Sequence, residues 1–449
     1  MRRTQITFFV ILALAVGVIY FFNTNRTSQT TNPDSPNDPL PPPAGTVVVT
    51  VSSSNTKQTW LDNVATKFNA SNPKTASGKN IQVQVKHVTS GASLEDIQNG
   101  VSQPVVWSPG DQSWTLQLNQ TWQQRNNKPI ASVACKPTVY APVGFVMWRP
   151  MAELLGWPDK AIGWDTIVAL ASDPNGWATY GRPEWGQFRF GHTHPEYANS
   201  GLLAMTSFVY GVSEQGLNLT AQDVYALEVE EAMTALGQVT SKYGRSAPLI
   251  LDLMARQGTS YLHAAAVPEA DAVKFNLERK DELSQPFAFI FPEGGTIWAD
   301  HPYCILDNAD WVDADQVEAA KVFESYLLAK EQQEMAIDAY LRPLDKTIPL
   351  RAPMTLENGT DSRVTIDTYP ALPSPNADIS KAVIDLFKIT KRKATVLLVL
   401  DISGSMEGDK IKTARDSTVE FLQRLDANDE VGVMVFSDFV TTFTEPTRA

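Results

Sequence analysis

From Val47 onward, short apolar runs alternate with stretches of helical period. Val47–Val51 reads as a strand, Trp60, Val64 and Phe68 recur at helical spacing, and Ile81–Val88 is a second strand. A helix around Leu94–Gly100 and a short strand at Val105–Trp107 follow. The opening order is therefore β-α-β-α-β, which implies a parallel sheet covered by helices. Ser132–Trp148 is strand-like despite Pro137 and Pro142. Further helices are expected at Met151–Leu155, Trp164–Ala171, Leu202–Tyr210, Ala221–Lys242, Pro248–Gln257 and Ala314–Ala339. Strands are expected at Phe188–Phe190, Phe287–Phe291 and Trp298–Leu306. Arg351–Asn376, rich in Pro, Thr and Asp, reads mostly as linker before a short helix at Ile379–Ile389. A last unit follows: the apolar strand ending at Leu400, a helix Lys410–Arg424 and a strand Val431–Phe436.

The amino end changes the picture of where this fold resides. Arg2 and Arg3 precede Ile6–Phe22, seventeen residues without a charge. That run is short for a spanning helix and long for a signal-peptide core. Paired arginines favour a cytoplasmic amino end, and bulky Tyr20, Phe21 and Phe22 leave no small-residue cleavage site. The expectation is a transmembrane signal anchor over 1–24 and a disordered stalk over 25–45. The bulk of the chain would be extracytoplasmic, at the cell membrane; a cleaved export signal would also send it out. A net charge of -13 over 449 residues argues against a nucleic-acid partner. Cys135 and Cys304 fit either one disulfide or two separate buried thiols.

Candidate chemistry in the middle of the chain is polar and small. Ser53, Ser54, Ser90, Ser93, Asn199 and Ser200 stand where helices begin. Helix amino termini carry unpaired N–H groups and a positive dipole end, so they hold anions or polar oxygens. The same residue types also cap helices without any ligand. Trp107, Trp148, Trp164, Trp185 and Trp298 suit a stacking face or the core. His192 and His194 are spaced for zinc on a strand, but no third ligand is placed beside them. No phosphate loop, nucleophile elbow, zinc-protease helix or dinucleotide fingerprint is present, so binding is expected rather than catalysis.

Four pieces fall in a telling order: the strand end Ser52-Ser53-Ser54, the helix opening Thr89-Ser90-Gly91-Ala92-Ser93, the return segment Asp300–Leu306, and Glu331-Gln332-Gln333 leading to Leu341-Arg342-Pro343. Residues 46–345 thereby resemble the extracellular solute-binding proteins of bacterial ABC transporters, with the type II periplasmic-binding fold. The resemblance implies lobe one at 46–137 and 303–345, lobe two at 138–302, and a small-molecule or oxyanion ligand between them. A linker and short helix would fill 346–390.

Asp401-Ile402-Ser403-Gly404-Ser405 lies just past the carboxyl end of a strand, where open α/β sheets bind ligands. Oxygen donors that leave room for water suit Mg²⁺. Residues 391–449 resemble the start of a Rossmann-like von Willebrand factor A domain. Asp401, Ser403 and Ser405 match the first segment of its metal-ion-dependent adhesion site. The family implies a threonine and a second aspartate from later loops, and a protein partner on the metal. Ala449 comes 44 residues after Ser405, before either loop. The expectation is a fragment of a longer product, with Mg²⁺ held weakly or not at all by these residues alone. Altogether the sequence predicts an α/β protein: an anchored two-lobed binding module followed by an incomplete von Willebrand factor A domain. It would couple solute binding to metal-dependent protein binding. The alternative is a surface protein whose solute-binding fold serves as spacer or protein interface.

Overall fold

The computed structural model describes residues 45–448 apart from 214, 424 and 426–428. The expected anchor and stalk lie outside the described residues, among which no helix is long and apolar enough to cross a membrane. The chain divides into two compact units, one reaching to Arg392 and one beginning at Lys393.

In the larger unit, β1 (Val47–Ser53), β2 (Ile81–His87) and β3 (Val106–Ser108) alternate with α1 (Gln58–Ala70), α2 (Ser90–Gln98) and α3 (Gln112–Asn126). β1 pairs in parallel with both β2 and β3. Alternate residues of β1, from Val47 to Val51, are buried under α1 residues Trp60, Val64 and Phe68. This first lobe was anticipated except for α3. The run Gln112–Asn126 is mostly polar and buries only Ser113, Trp114, Thr115 and Leu118. It starts because Asp111 Oδ1 accepts from Ser113 N at 2.9 Å, an N-cap hydrogen bond.

Lobe two is built on the long, buried β4 (Val139–Trp148). Around it run α4 (Arg149–Leu155), α5 (Trp164–Ser172), β5 (Phe190–Thr193), α6 (Asn199–Val212), α7 (Leu227–Val239), β6 (Thr240–Gly244), α8 (Ala247–Gln257), β7 (Ala264–Pro268), α9 (Glu269–Glu278), β8 (Phe287–Ile290) and β9 (Thr296–Ala299). β4 pairs antiparallel with β7, β8 and β9, while β5 lies parallel to β6 and β7. The chain returns to lobe one through β10 (Cys304–Ile305), which pairs with β3, and then α10 (Ala314–Leu327) and α11 (Lys330–Asp338). α10 opens with a capping box between Asp313 and Gln316. Cys135 and Cys304 form a disulfide, which joins the outgoing and returning crossovers.

Two corrections concern the segment after residue 345. The stretch expected to be linker is packed onto lobe two. β11 (Arg342–Pro343) pairs with β4 and β12 (Ala371–Leu372) with β9. Between them Met354 and Thr360 are fully buried and Gly359 O accepts from Phe289 N at 2.7 Å. Polar composition concealed this, because buried Arg342 and Glu269 supply the partners. The helix that follows, α12 (Ala377–Thr390), is a docked element of the same unit. Asn376 Oδ1 caps it by accepting from Ile379 N at 2.8 Å.

The smaller unit consists of β13 (Thr395–Asp401), α13 (Asp409–Gln423), β14 (Glu430–Phe436) and β15 (Val440–Arg448). β13 and β14 are parallel and β15 returns antiparallel. Along β13, Leu397 and Val399 are exposed while Leu398 and Leu400 are half-buried.

Candidate functional site

β1 ends in Ser52 and Ser53, and Ser54 and Lys57 follow before α1. Lys57 Nζ donates to Ser54 Oγ at 2.9 Å, to Ser108 O at 2.7 Å and to Pro109 O at 3.2 Å. Ser54 Oγ lies 3.2 Å from His301 Nδ1. Lys57 Nζ also lies 3.3 Å from His301 Nδ1, so that ring nitrogen faces two donor groups, Ser54 and Lys57. The imidazole proton then sits on Nε2, which is buried without a hydrogen-bond partner. Burial pulls the pKa of both Lys57 and His301 well down, partly opposed at Lys57 by Asp300. His301 occupies the return crossover with φ of 43°, a left-handed conformation unusual for a side chain of this size.

Two carboxyls stand behind this group. Asp111 is fully buried, caps α3 and accepts from Ser374 Oγ at 2.8 Å. Asp300 accepts from Gln112 N at 2.9 Å. Burial raises both pKa values, and Asp111 raises Asp300 further.

The lobes meet across the residues singled out in the sequence. Gly91 N, in the first turn of α2, donates to Tyr197 O at 3.1 Å. A Cβ at Gly91 would fall 2.1 Å from Glu196 O, so only glycine permits this approach. Ser90 Oγ accepts from Gly110 N at 2.9 Å. Asn199 Oδ1 accepts from Trp114 Nε1 at 2.9 Å. Ser93 Oγ donates to Ser90 O and accepts from Trp107 Nε1. Ser53 Oγ donates to Ser54 O, and Ser200 Oγ pairs with Thr193 Oγ1 at 2.7 Å. The structure thus brings Ser54, Ser90 and Asn199 to one interface, with their polar atoms engaged by protein groups. Behind it Ser53 and Ser93 donate to backbone carbonyls and Ser200 pairs with the Thr193 side chain.

The tryptophans turn out to be core. Trp107, Trp148, Trp164 and Trp298 are buried, and Trp185 packs edge-on against Trp177. His192 is buried with Nδ1 at 2.7 Å from Thr193 O, and His194 packs on Phe387. Among the described residues no cluster of His, Cys, Asp and Glu could hold a metal. A cavity of about 370 Å³ beside Trp164, Tyr210 and Glu293 is lined by none of the six candidate polar residues. Lys57, Asp111 and Asp300 were missed. A lysine one turn after Ser54 was the available signal for the first; no local pattern marked the two carboxyls.

In the smaller unit Asp401 Oδ1 accepts from Ser403 N at 2.8 Å, and Ser403 Oγ lies 3.0 Å from Ser405 Oγ. Those Ser403 hydrogen bonds hold the Asp401 carboxyl below its usual range. Three oxygens of hard-donor character therefore gather on one loop past the end of β13.

Residues 49–342 match the family described as bacterial extracellular solute-binding protein. The chain belongs to that family. Residues 396–449 match the von Willebrand factor type A domain. No curated protein matches the chain. Among solved structures, the solute-binding unit is similar to the maltose-bound MalE3 of T. maritima, with 14% identity and a TM-score of 0.50, covering 84% of this chain and 99% of that one. It is also similar to iron-bound HitA from Pseudomonas aeruginosa (11% identity, TM-score 0.50, 77% and 99% covered). A periplasmic thiamin binding protein gives 12% identity and a TM-score of 0.50 over 77% and 96%. At these identities the likeness establishes the fold of the solute-binding unit and nothing of its ligand.

Proposed function

We propose that this solute-binding protein captures a small solute or oxyanion between its lobes outside the cell, as a binder and not a catalyst. The observation that carries the reading is that the opposite lobes meet at the amino ends of α2 and α6, through Gly91 on Tyr197 and Asn199 on Trp114. Backbone N–H groups at such ends favour oxygens. Ser54, with Lys57 behind it, supplies a further polar contact. Proteins of similar fold include a maltose-bound, an iron-bound and a thiamin binding protein, so the probes must span sugars, phosphate esters, inorganic oxyanions, ferric ion and thiamin. Isothermal titration should find one that binds at micromolar concentration or tighter, weakened by Asn199→Ala. No heat from any class would defeat the reading.

A second reading is favoured by one specific finding: Gly91 and Asn199 already bond protein partners across the lobes, and Ser90 is engaged by Gly110 within lobe one. A ligand must replace those bonds, whereas a spacer or protein interface need not break them. The same titration separates the two.

For the smaller unit we read metal-dependent protein binding, with Asp401, Ser403 and Ser405 as the residues that would hold Mg²⁺. The ion would supply a positive Lewis-acid centre for a partner's carboxylate. The Ile6–Phe22 run would anchor the chain as a single-pass protein, and solute binding would be coupled to the partner. Mn²⁺ titration followed by electron paramagnetic resonance should show weak binding, lost in Asp401→Ala. Retention of binding in that variant would remove the metal assignment.

A further inference from the structure

Helix α12 belongs to neither lobe alone. It packs against α3 of lobe one and against α6 and α7 of lobe two. Ile379, Val383 and Leu386 share a buried apolar cluster with Trp114 and Leu118 of α3 and Leu236 of α7. Ahead of the helix, Ser374 Oγ donates to Asp111 Oδ2 of lobe one at 2.8 Å. Near its end, Lys388 Nζ pairs with Glu196 Oε1 of lobe two at 2.8 Å. Glu196 is also the residue whose carbonyl limits Gly91. Residues 374–390 themselves lie beyond the family match, which ends at residue 342.

We propose that residues 374–390 form an interlobe latch. The lobes cannot part at the Gly91–Tyr197 and Trp114–Asn199 contacts while Ser374 holds the head of α3 and α12 stays docked on both sides. Apolar burial supplies the holding force, and the Ser374–Asp111 bond sets the register. Opening therefore releases α12 from α3 or from α6 and α7. By linkage the effect is mutual: a change that opens the cleft loosens α12, and a change that loosens α12 opens the cleft. The released helix is the one continuous through Lys391 and Arg392 with β13. This inference does not depend on which solute binds.

The test uses the full oxidised chain, in which Cys135 and Cys304 are bonded and escape labelling. Spin labels are placed on exposed Glu95 and Arg245, introduced as Glu95→Cys and Arg245→Cys. Pulsed electron resonance should give one short separation in the otherwise native chain. A longer population should appear when Ser374→Ala and Leu386→Ala are combined. An unchanged distribution in that variant, or a native chain already open, overturns the latch. The reciprocal arm uses Asn199→Ala, which removes the acceptor of the Trp114 indole N–H and leaves the apolar cluster around α12 in place. Amide exchange over 377–390 should accelerate by roughly tenfold, the scale of one lost hydrogen bond. Acceleration confined to the neighbourhood of Trp114 and Asn199 also overturns the proposal. A thermal melt checks that the doubly substituted chain is folded; should it unfold, the Asn199→Ala exchange decides.

Discussion

Arg342 and Glu269 hold each other through paired hydrogen bonds, Nε to Oε2 at 2.6 Å and Nη2 to Oε1 at 2.7 Å, with both side chains buried. The guanidinium also lies over Phe291 and Trp298, 5.3 and 5.5 Å from the ring centres. Thr360 donates to Glu269, and Asp361 O and Val364 O accept from Arg342. Removing one partner strands a buried charge. Arg342→Met should therefore cost about 3–5 kcal/mol in urea denaturation. The double variant Arg342→Met with Glu269→Leu should recover much of that loss, because neither charge then remains unpaired.

The disulfide between Cys135 and Cys304 joins residues 169 positions apart. In the chain-entropy account a loop of that size stabilises by up to about 5 kcal/mol. Free-thiol titration of the denatured, unreduced protein should find no thiol. The Cys135→Ser, Cys304→Ser chain should melt well below the native one.

Acid should weaken the fold through its buried histidines. Burial lowers both His192 and His263 to about 4. Trp177 Nε1 and Arg189 N donate to His263 Nδ1, an arrangement that a second ring proton would break. The unfolded chain takes up protons near 6.5, so the folded state binds fewer between those limits. The contribution is present above pH 6.5 and is lost as pH falls toward 4. His192→Phe should remove up to roughly 3 kcal/mol of this slope, read from unfolding curves between pH 7 and 4.5.

Asp271 acts in the opposite direction. It is buried, Oδ2 has no hydrogen-bond partner, and desolvation pushes the carboxyl up to about 7. Its contribution is complete below pH 3.8 and is lost as pH rises toward 7. Asp271→Asn should leave the melting temperature near native at pH 4 and raise it at pH 8, by up to roughly 4 kcal/mol of stability. An equal gain at both pH values would refute the assignment.

Much of lobe one was legible because buried parallel strands read as continuous apolar runs, as Val47–Val51 does. β7 was not, since Ala264, Ala265 and Ala266 lack the branched residues that mark a strand. Of the six polar residues proposed for the cleft, Ser54, Ser90 and Asn199 lie at one interface, whereas Ser53 and Ser93 donate to backbone carbonyls and Ser200 pairs with Thr193.

By itself the sequence determined those features whose residues are close along the chain. The Asp401–Ser405 loop is an example, because three donors within five positions need only a turn to bring them together. The order of the first three strands is another. Only the tertiary structure decided that Cys135 meets Cys304, that Lys57 joins Ser54 and His301 in one buried group, and that a polar stretch beyond Arg342 binds both lobes. Those relationships join residues tens to hundreds of positions apart. Local propensity carries no record of such pairs; they are selected when the core excludes water and every buried polar group must find its partner.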